Sequence, residues 1–339
     1  MASTAAAAAK QANGAGALDR LLAATQPEME RVNALILQRA DSHVEMVPEL
    51  ARYLIEAGGK RLRPMLTIAA AMLCGKAEGA QINYAAAVEF MHNATLLHDD
   101  VVDESEMRRG RPAARMIWGN QASVLVGDFL LGQAFMMMVE AGDIEALGVL
   151  SKAATIIAEG EVFQLAKARD LSTSAADYAR VIHAKTAMLF EAAAEVGAMA
   201  GGADAVSRTA LRDYGRELGM AFQLVDDVLD YRGEAGAMGK NTGDDLREGK
   251  MTLPVILALE DANPAEREIV IAALTRPDVS ETTLGQVVAI MNRYDTLSRT
   301  LEQAHRHVRL AREALAPLPP GEMKSLLSDI AEFYVGRAY

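Results

Sequence analysis

Apolar residues recur along most of the chain at intervals of three and four, and nowhere in a convincing alternation of two. That period predicts helices and not strands. It marks helices near 20–40, 48–57, 62–74, 82–104, 120–140, 146–169, 174–200 and 205–231, then shorter ones near 251–260, 264–275, 281–292, 294–316 and 320–337. No proline falls between Pro112 and Pro254, and strong helix formers dominate that reach. Segment 184–201 is apolar nearly all round, as befits a helix inside a large bundle. The pattern predicts an all-α fold, one helical domain over 19–339. Residues 1–18 are Ala-rich with a single Lys10 and lack the build of a signal peptide. They are expected to form a disordered tail. The Gly-rich stretch from Gly233 to Asp245 follows a helix end directly, which suits a site loop better than a linker.

Composition narrows the chemistry. With 339 residues and 51% apolar content the chain can bury a large core. Its net charge of −12 argues against nucleic acid as a partner. Phosphate ligands remain possible if basic residues cluster locally. Cys74 is the one cysteine, so an internal disulfide and a cysteine-based metal cluster are both excluded. A reducing, cytoplasmic setting fits. No run of about 18 apolar residues is free of charge, so no membrane span is expected.

Two acidic clusters share one spacing. Asp99, Asp100 and Asp103 form the first DDxxD, and Asp226, Asp227 and Asp230 the second. On a helix Asp99 stacks with Asp103, and Asp226 with Asp230. Apolar residues flank both clusters, so the carboxylates need counter-charge. A single DDxxD is most simply a solvated acidic face; two, each in an apolar helix, point to divalent cations. All-oxygen carboxylate sites suit Mg²⁺, which completes its octahedron with waters and substrate phosphates. Basic islands agree: Gly58-Gly59-Lys60-Arg61-Leu62-Arg63-Pro64, then Arg108-Arg109-Gly110-Arg111-Pro112, with Lys185-Thr186 and Lys240 elsewhere. Arginine forks and lysine point charges both bind phosphate oxygens.

GGKRLRP, LLHDDVVDESEMRRGRP, FQLVDDVLDY and GDDLREGKMTLP stand in this order. With the Lys-Thr pair, they make the chain resemble the trans-polyprenyl diphosphate synthases, over roughly Leu50 to the C-terminus. The resemblance implies a single bundle of the isoprenoid synthase type with a central active-site cavity. It implies condensation of isopentenyl diphosphate with an allylic diphosphate, yielding a long all-trans product of octaprenyl to decaprenyl length, a precursor of quinone (ubiquinone) side chains. Three Mg²⁺ ions would be bound with the allylic diphosphate. Asp99, Asp103 and Asp226 would hold them, with Asp100, Asp227 and Asp230 holding their waters or completing the sites. Arg108, Lys185 and Lys240 would grip the same diphosphate. Thr186 and Gln223 would lie near the allylic carbon. Lys60, Arg63, His92 and Arg109 would hold isopentenyl diphosphate without metal. Most members are homodimers, and the apolar helix near 120–140 is a candidate interface.

Product length in that family depends on residues just before the first motif. Thr95 and Ala94 are small there. A residue five places back lies about 7.5 Å down the helix axis, so nothing bulky blocks an early tunnel. Phe90, with Met91 beside it, or a residue of the Met136-Met137-Met138 run, is the candidate floor. Other readings fit less well. A farnesyl or geranylgeranyl synthase favours a bulkier residue at 94 or 95. A terpene cyclase has no need for GGKRLRP. A non-catalytic partner subunit would show degraded aspartate motifs. A metal phosphohydrolase needs further histidines at helical spacing.

Overall fold

The computed structural model describes residues 2–59, 61–75, 79–232, 243–276 and 279–336. The helices are α1 (Ala2–Arg39), α2 (Met46–Glu56), α3 (Leu62–Cys74), α4 (Ala80–Val102), α5 (Ala114–Ala141), α6 (Ile144–Lys167), α7 (Ala175–Ile182), α8 (Met188–Ala200) and α9 (Ala205–Arg232). After them come α10 (Asp244–Arg247), α11 (Leu253–Asp261), α12 (Pro264–Thr275), α13 (Glu281–Arg293), α14 (Thr296–Ala314) and α15 (Glu322–Gly336). The all-α expectation holds, with two local departures. A π-helical turn, His183–Ala187, joins α7 to α8. A two-residue hairpin, β1 (Met107–Arg108) and β2 (Arg111–Pro112), follows α4.

The centre of the bundle is α3, α4, α8 and α9. α3 packs on α4 and α8, and α8 on α9. Ala69, Ala70, Ala85, Ala86, Ala87, Ala192, Ala193 and Ala194 are wholly buried there. Their small side chains let helices approach closely. Gly219 of α9 shows how closely: a Cβ at that position would stand 2.5 Å from Ala187 Cα. α8 buries nearly its whole length, as expected for a helix apolar all round. α5 covers α4, α14 covers α9, and α1 packs on α15. Helix starts carry sequence caps. Asp143 accepts from Glu145 and Ala146, and Ser174 with Asp177 makes a capping box.

α1 is helical from Ala2, and Ala17 and Leu18 are buried. Alanine is the strongest helix former, so the backbone continues the helix that follows. α5 is long and apolar enough, by length and composition alone, to cross a membrane. It carries Asp128 and breaks at Gly119. It also packs along α4, as a core helix of the same composition would.

Candidate active site

The C-terminal ends of α4 and α9 bring the two aspartate clusters to one end of the bundle, beside the π-turn. A cavity of about 450 Å³ opens there. Asp103, Glu161, Lys185, Thr186, Gln223, Asp227 and Lys250 are among its lining residues.

Asp99 and Asp103 lie one helical turn apart, and each faces a lysine. Lys185 Nζ is 3.6 Å from Asp99 Oδ2 and 2.7 Å from Glu161 Oε2. Lys250 Nζ is 3.2 Å from Asp103 Oδ2 and also pairs with Glu248. Burial raises the Asp99 carboxyl above its usual range; Lys185 opposes the shift and Asp103 adds to it. Glu161 is raised by burial and then by Asp99. Burial alone would lower the Lys250 ammonium, but Asp245, Asp103 and Glu248 together raise it. Acids thus outnumber cations at this end. The donors are all oxygen, and among the described residues no three acidic or imidazole groups converge into a ready cage. That fits a hard divalent cation held by one or two carboxylates plus ligand phosphates.

Two of the six acids are engaged by neighbouring side chains. Asp100 is fully buried and receives Arg108 Nε at 2.8 Å. Asp227 accepts Tyr178 Oη at 2.5 Å and Gln223 Nε2 at 2.7 Å. Asp227 also lines the cavity, whereas Asp100 does not. Burial, with Asp245 and Asp226, pushes Asp227 up to about 7, against the pull of its Tyr178 and Gln223 hydrogen bonds. Asp230 Oδ2 accepts the Asp245 backbone N–H at 3.3 Å.

The basic islands are placed by unusual backbone. In the β1–β2 hairpin, Arg109 and Gly110 have φ of 53° and 75°, the positive pair that a two-residue type I′ turn requires. The turn sends Arg108 to Asp100 and Arg109 to the Gly58 carbonyl. Gly59, at φ 152°, has its Cβ direction 2.9 Å from Arg109 Nη1, so a larger residue would collide with the guanidinium. Arg63 lies 4.4 Å over the Phe190 ring, with Nη1 3.3 Å from His92 Nε2. Burial lowers Arg63 to about 10, with Glu89 and Asp226 opposing. Burial, then Arg63 and Arg109, drives His92 well below its usual value, leaving it neutral. Arg63, His92, Arg109 and Glu89 thus form one electrostatic group. Lys60 and Lys240 lie outside the described residues.

Thr186 Oγ1 donates to Gln223 Oε1 at 2.7 Å, so these two expected neighbours do meet. The chain-length positions sit apart. Phe90, Met91 and Ala94 are buried in the core, Thr95 bonds the His92 carbonyl at 2.8 Å, and none of the four lines the cavity. Met137 and Met138 are buried, whereas Met136 is exposed on this chain, which removes it from the candidate floor. Sequence reasoning missed Tyr178, Glu161 and Lys250. Lys250 stood inside the GDDLREGKMTLP motif, and Glu161 was one of three acids on α6, with Glu145 and Glu159. Tyr178 carried no local signal.

A family model described as Polyprenyl synthetase matches residues 44–291. The chain is 42% identical over 322 residues to the octaprenyl diphosphate synthase of Haemophilus influenzae, covering 95% of this chain and 98% of that one. Among solved structures, a polyprenyl synthase from Caulobacter crescentus complexed with calcium and isoprenyl diphosphate has a TM-score of 0.92 at 48% identity, with 95% and 98% of the two chains covered. A decaprenyl diphosphate synthase from Rhodobacter capsulatus has a TM-score of 0.90 at 48% identity, with 95% and 99% covered.

Proposed function

The chain belongs to the polyprenyl synthetase family and is a prenyltransferase, and from that premise we propose that it joins isopentenyl diphosphate to an allylic diphosphate with Mg²⁺. The product would be an all-trans chain of octaprenyl to decaprenyl length, serving as a quinone side-chain precursor. The observation that carries this reading is the Thr186–Gln223 pair, on the cavity wall between two aspartate clusters and beside Lys185. It offers neutral oxygens next to a site built for diphosphate.

Asp99, Asp103 and Asp226 would hold Mg²⁺, with Asp230 completing the sites; the metal when bound neutralises charge on the leaving diphosphate. Lys185, Arg108 and Lys240 would grip that diphosphate, and Lys250 joins them from the far wall. Lys185 and Lys250 supply counter-charge to Asp99 and Asp103. Arg63, His92, Arg109 and Lys60 would hold isopentenyl diphosphate, with neutral His92 donating one N–H. Thr186 and Gln223 would face the electron-poor allylic carbon. The released diphosphate would take the final proton, so no side chain is assigned as base. The buried small-to-large switch from Ala94 to Phe90 supports a tunnel along α4 that closes at Phe90. A homodimer through α5 is supported by Leu125, Met136 and Val139, exposed along one side of that helix. We place the enzyme in the cytoplasm.

Removal of divalent cations tests the metal role. Chelation is expected to abolish diphosphate release from the two substrates, and added Mg²⁺ to restore it. Full turnover in excess chelator would contradict the assignment. Asp99→Ala should cost far more turnover than Asp230→Ala, whose acid also bonds the Asp245 backbone.

A further inference from the structure

Four side chains on the cavity wall form one directed chain of hydrogen bonds. Tyr178 Oη donates to Asp227 Oδ2 at 2.5 Å. Gln223 Nε2 donates to Asp227 Oδ1 at 2.7 Å. Thr186 Oγ1 donates to Gln223 Oε1 at 2.7 Å. The residues come from α7, the π-turn and α9, and all four line the cavity.

The direction of the chain follows from donor inventory. A phenol has one proton to give, the two Asp227 oxygens here accept from Tyr178 and Gln223, and a primary amide has one donating and one accepting end. With Tyr178 fixed on one oxygen of Asp227, the other oxygen faces the amide of Gln223. The amide therefore turns its NH₂ to Asp227 and its carbonyl to Thr186. Thr186 directs its single proton to that carbonyl. What remains for the contents of the cavity is lone pairs, on Thr186 Oγ1 and Gln223 Oε1. If the amide turned over, its carbonyl would face a carboxylate, and its NH₂ would face Thr186. The Thr186 proton would then be free to point into the cavity, and the wall would offer a donor.

We propose that Tyr178 is a positioning residue for prenyl transfer: through Asp227 it locks the polarity of the Gln223 amide, so that the wall presents oxygen lone pairs to the electron-poor allylic carbon. The inference rests on the prenyl-transfer reading above. Tyr178 acts through Asp227 and grips no diphosphate; it is 5% exposed, and its hydroxyl is engaged by the carboxylate. Asp227 thereby serves as the fixed acceptor that orients Gln223.

The test is Tyr178→Phe in the full-length chain, assayed with Mg²⁺, isopentenyl diphosphate and farnesyl diphosphate. Phenylalanine keeps the ring and removes only the proton donor. kcat is expected to fall about tenfold, the size of one hydrogen bond to a charged group. Both KM values should stay within about twofold, since the diphosphate-binding cations are untouched. In a Gln223→Leu background the same change should cost less than about twofold, because its route of action is gone. Unchanged kcat, a raised KM at constant kcat, or a full repeat of the loss in the Gln223→Leu background would each overturn the proposal. If Tyr178→Phe does not yield folded protein, Asp227→Asn takes its place with the same expected kcat loss and the same non-additivity; wild-type kcat in that variant overturns the proposal too. Wild-type protein that forms no prenyl product overturns both the reaction reading and this inference. That outcome is distinguishable because it arises without any substitution.

Discussion

Asp99 and Asp100 are neighbours in sequence and opposites in the structure. Asp99 stands near Lys185, while Asp100 is buried under Arg108. The helical spacing made the Asp99–Asp103 pairing legible. The fate of Asp100 depended on a hairpin turn that no helical pattern describes. Arg63 shows what a residue-scale choice does. Its guanidinium keeps its charge despite burial because it starts from so high a value, and its flat face stacks on Phe190. Arg63→Lys would lose the stack and the fork, and would begin from a lower ordinary pKa. The same burial penalty would then bring the ammonium toward neutrality. For a basic group the charge is lost as pH rises through its pKa. The variant should therefore show a falling kcat/KM for isopentenyl diphosphate on the alkaline side of neutrality. Wild type should keep its Arg63 charge until pH nears about 10. Parallel pH profiles for the two would refute this account of Arg63. Ala94 is 2% exposed on α4, one turn from Phe90. Ala94→Phe should shorten the main product by several isoprene units, read by thin-layer sizing; unaltered product length would move the tunnel off this helix face. Overpacking at so buried a site should also cost about 1–3 kcal/mol of stability.

The helices were legible because each buries a stripe with a 3.6-residue period, and the caps at Asp143, Ser174, Asn263 and Ser280 mark true starts. The π-turn was not. Its extra residue shifts the helical phase, but segment 184–201 is apolar nearly all round, so no break in the pattern shows. That turn carries Lys185 and Thr186, and α9 reaches it through Gly219. Because a Cβ there would meet backbone at 2.5 Å, Gly219→Ala must push α9 away from the π-turn. Gln223 lies one turn further along α9, so its 2.7 Å contact with Thr186 should lengthen. We expect kcat to drop about tenfold, with a thermal shift of only a few degrees. A Gly219→Ala enzyme with wild-type kcat would show that the spacing of these two elements does not matter. The hairpin had little sequence signal: arginine is an unusual residue at the positive φ of Arg109, and two-residue strands give no alternation to detect.

At the scale of the whole molecule, the helical bundle matches its relatives over 95% of the chain. The low aromatic content, 5% of residues, and the alanine-rich faces of α3, α4 and α8 belong together: small side chains bring the central helices close. The acidity has two uses. Part of it is surface charge, and part is concentrated at the cavity end, where Asp99, Asp103, Glu161, Asp227 and Asp245 stand with Lys185 and Lys250. The cavity itself was implied by resemblance, and its walls were legible in part, at Asp103, Lys185, Thr186, Gln223 and Asp227. Tyr178, Glu161 and Lys250 reach it from α7, α6 and the loop after α10, positions that only the packed bundle brings together. Long-chain synthesis is the claim that joins these scales, and product sizing tests it most directly. The protein is incubated with Mg²⁺, isopentenyl diphosphate and farnesyl diphosphate, and the dephosphorylated products are sized. The account predicts a product of octaprenyl to decaprenyl length. Products that stop at geranylgeranyl length, a cyclic hydrocarbon, or no condensation at all would contradict it.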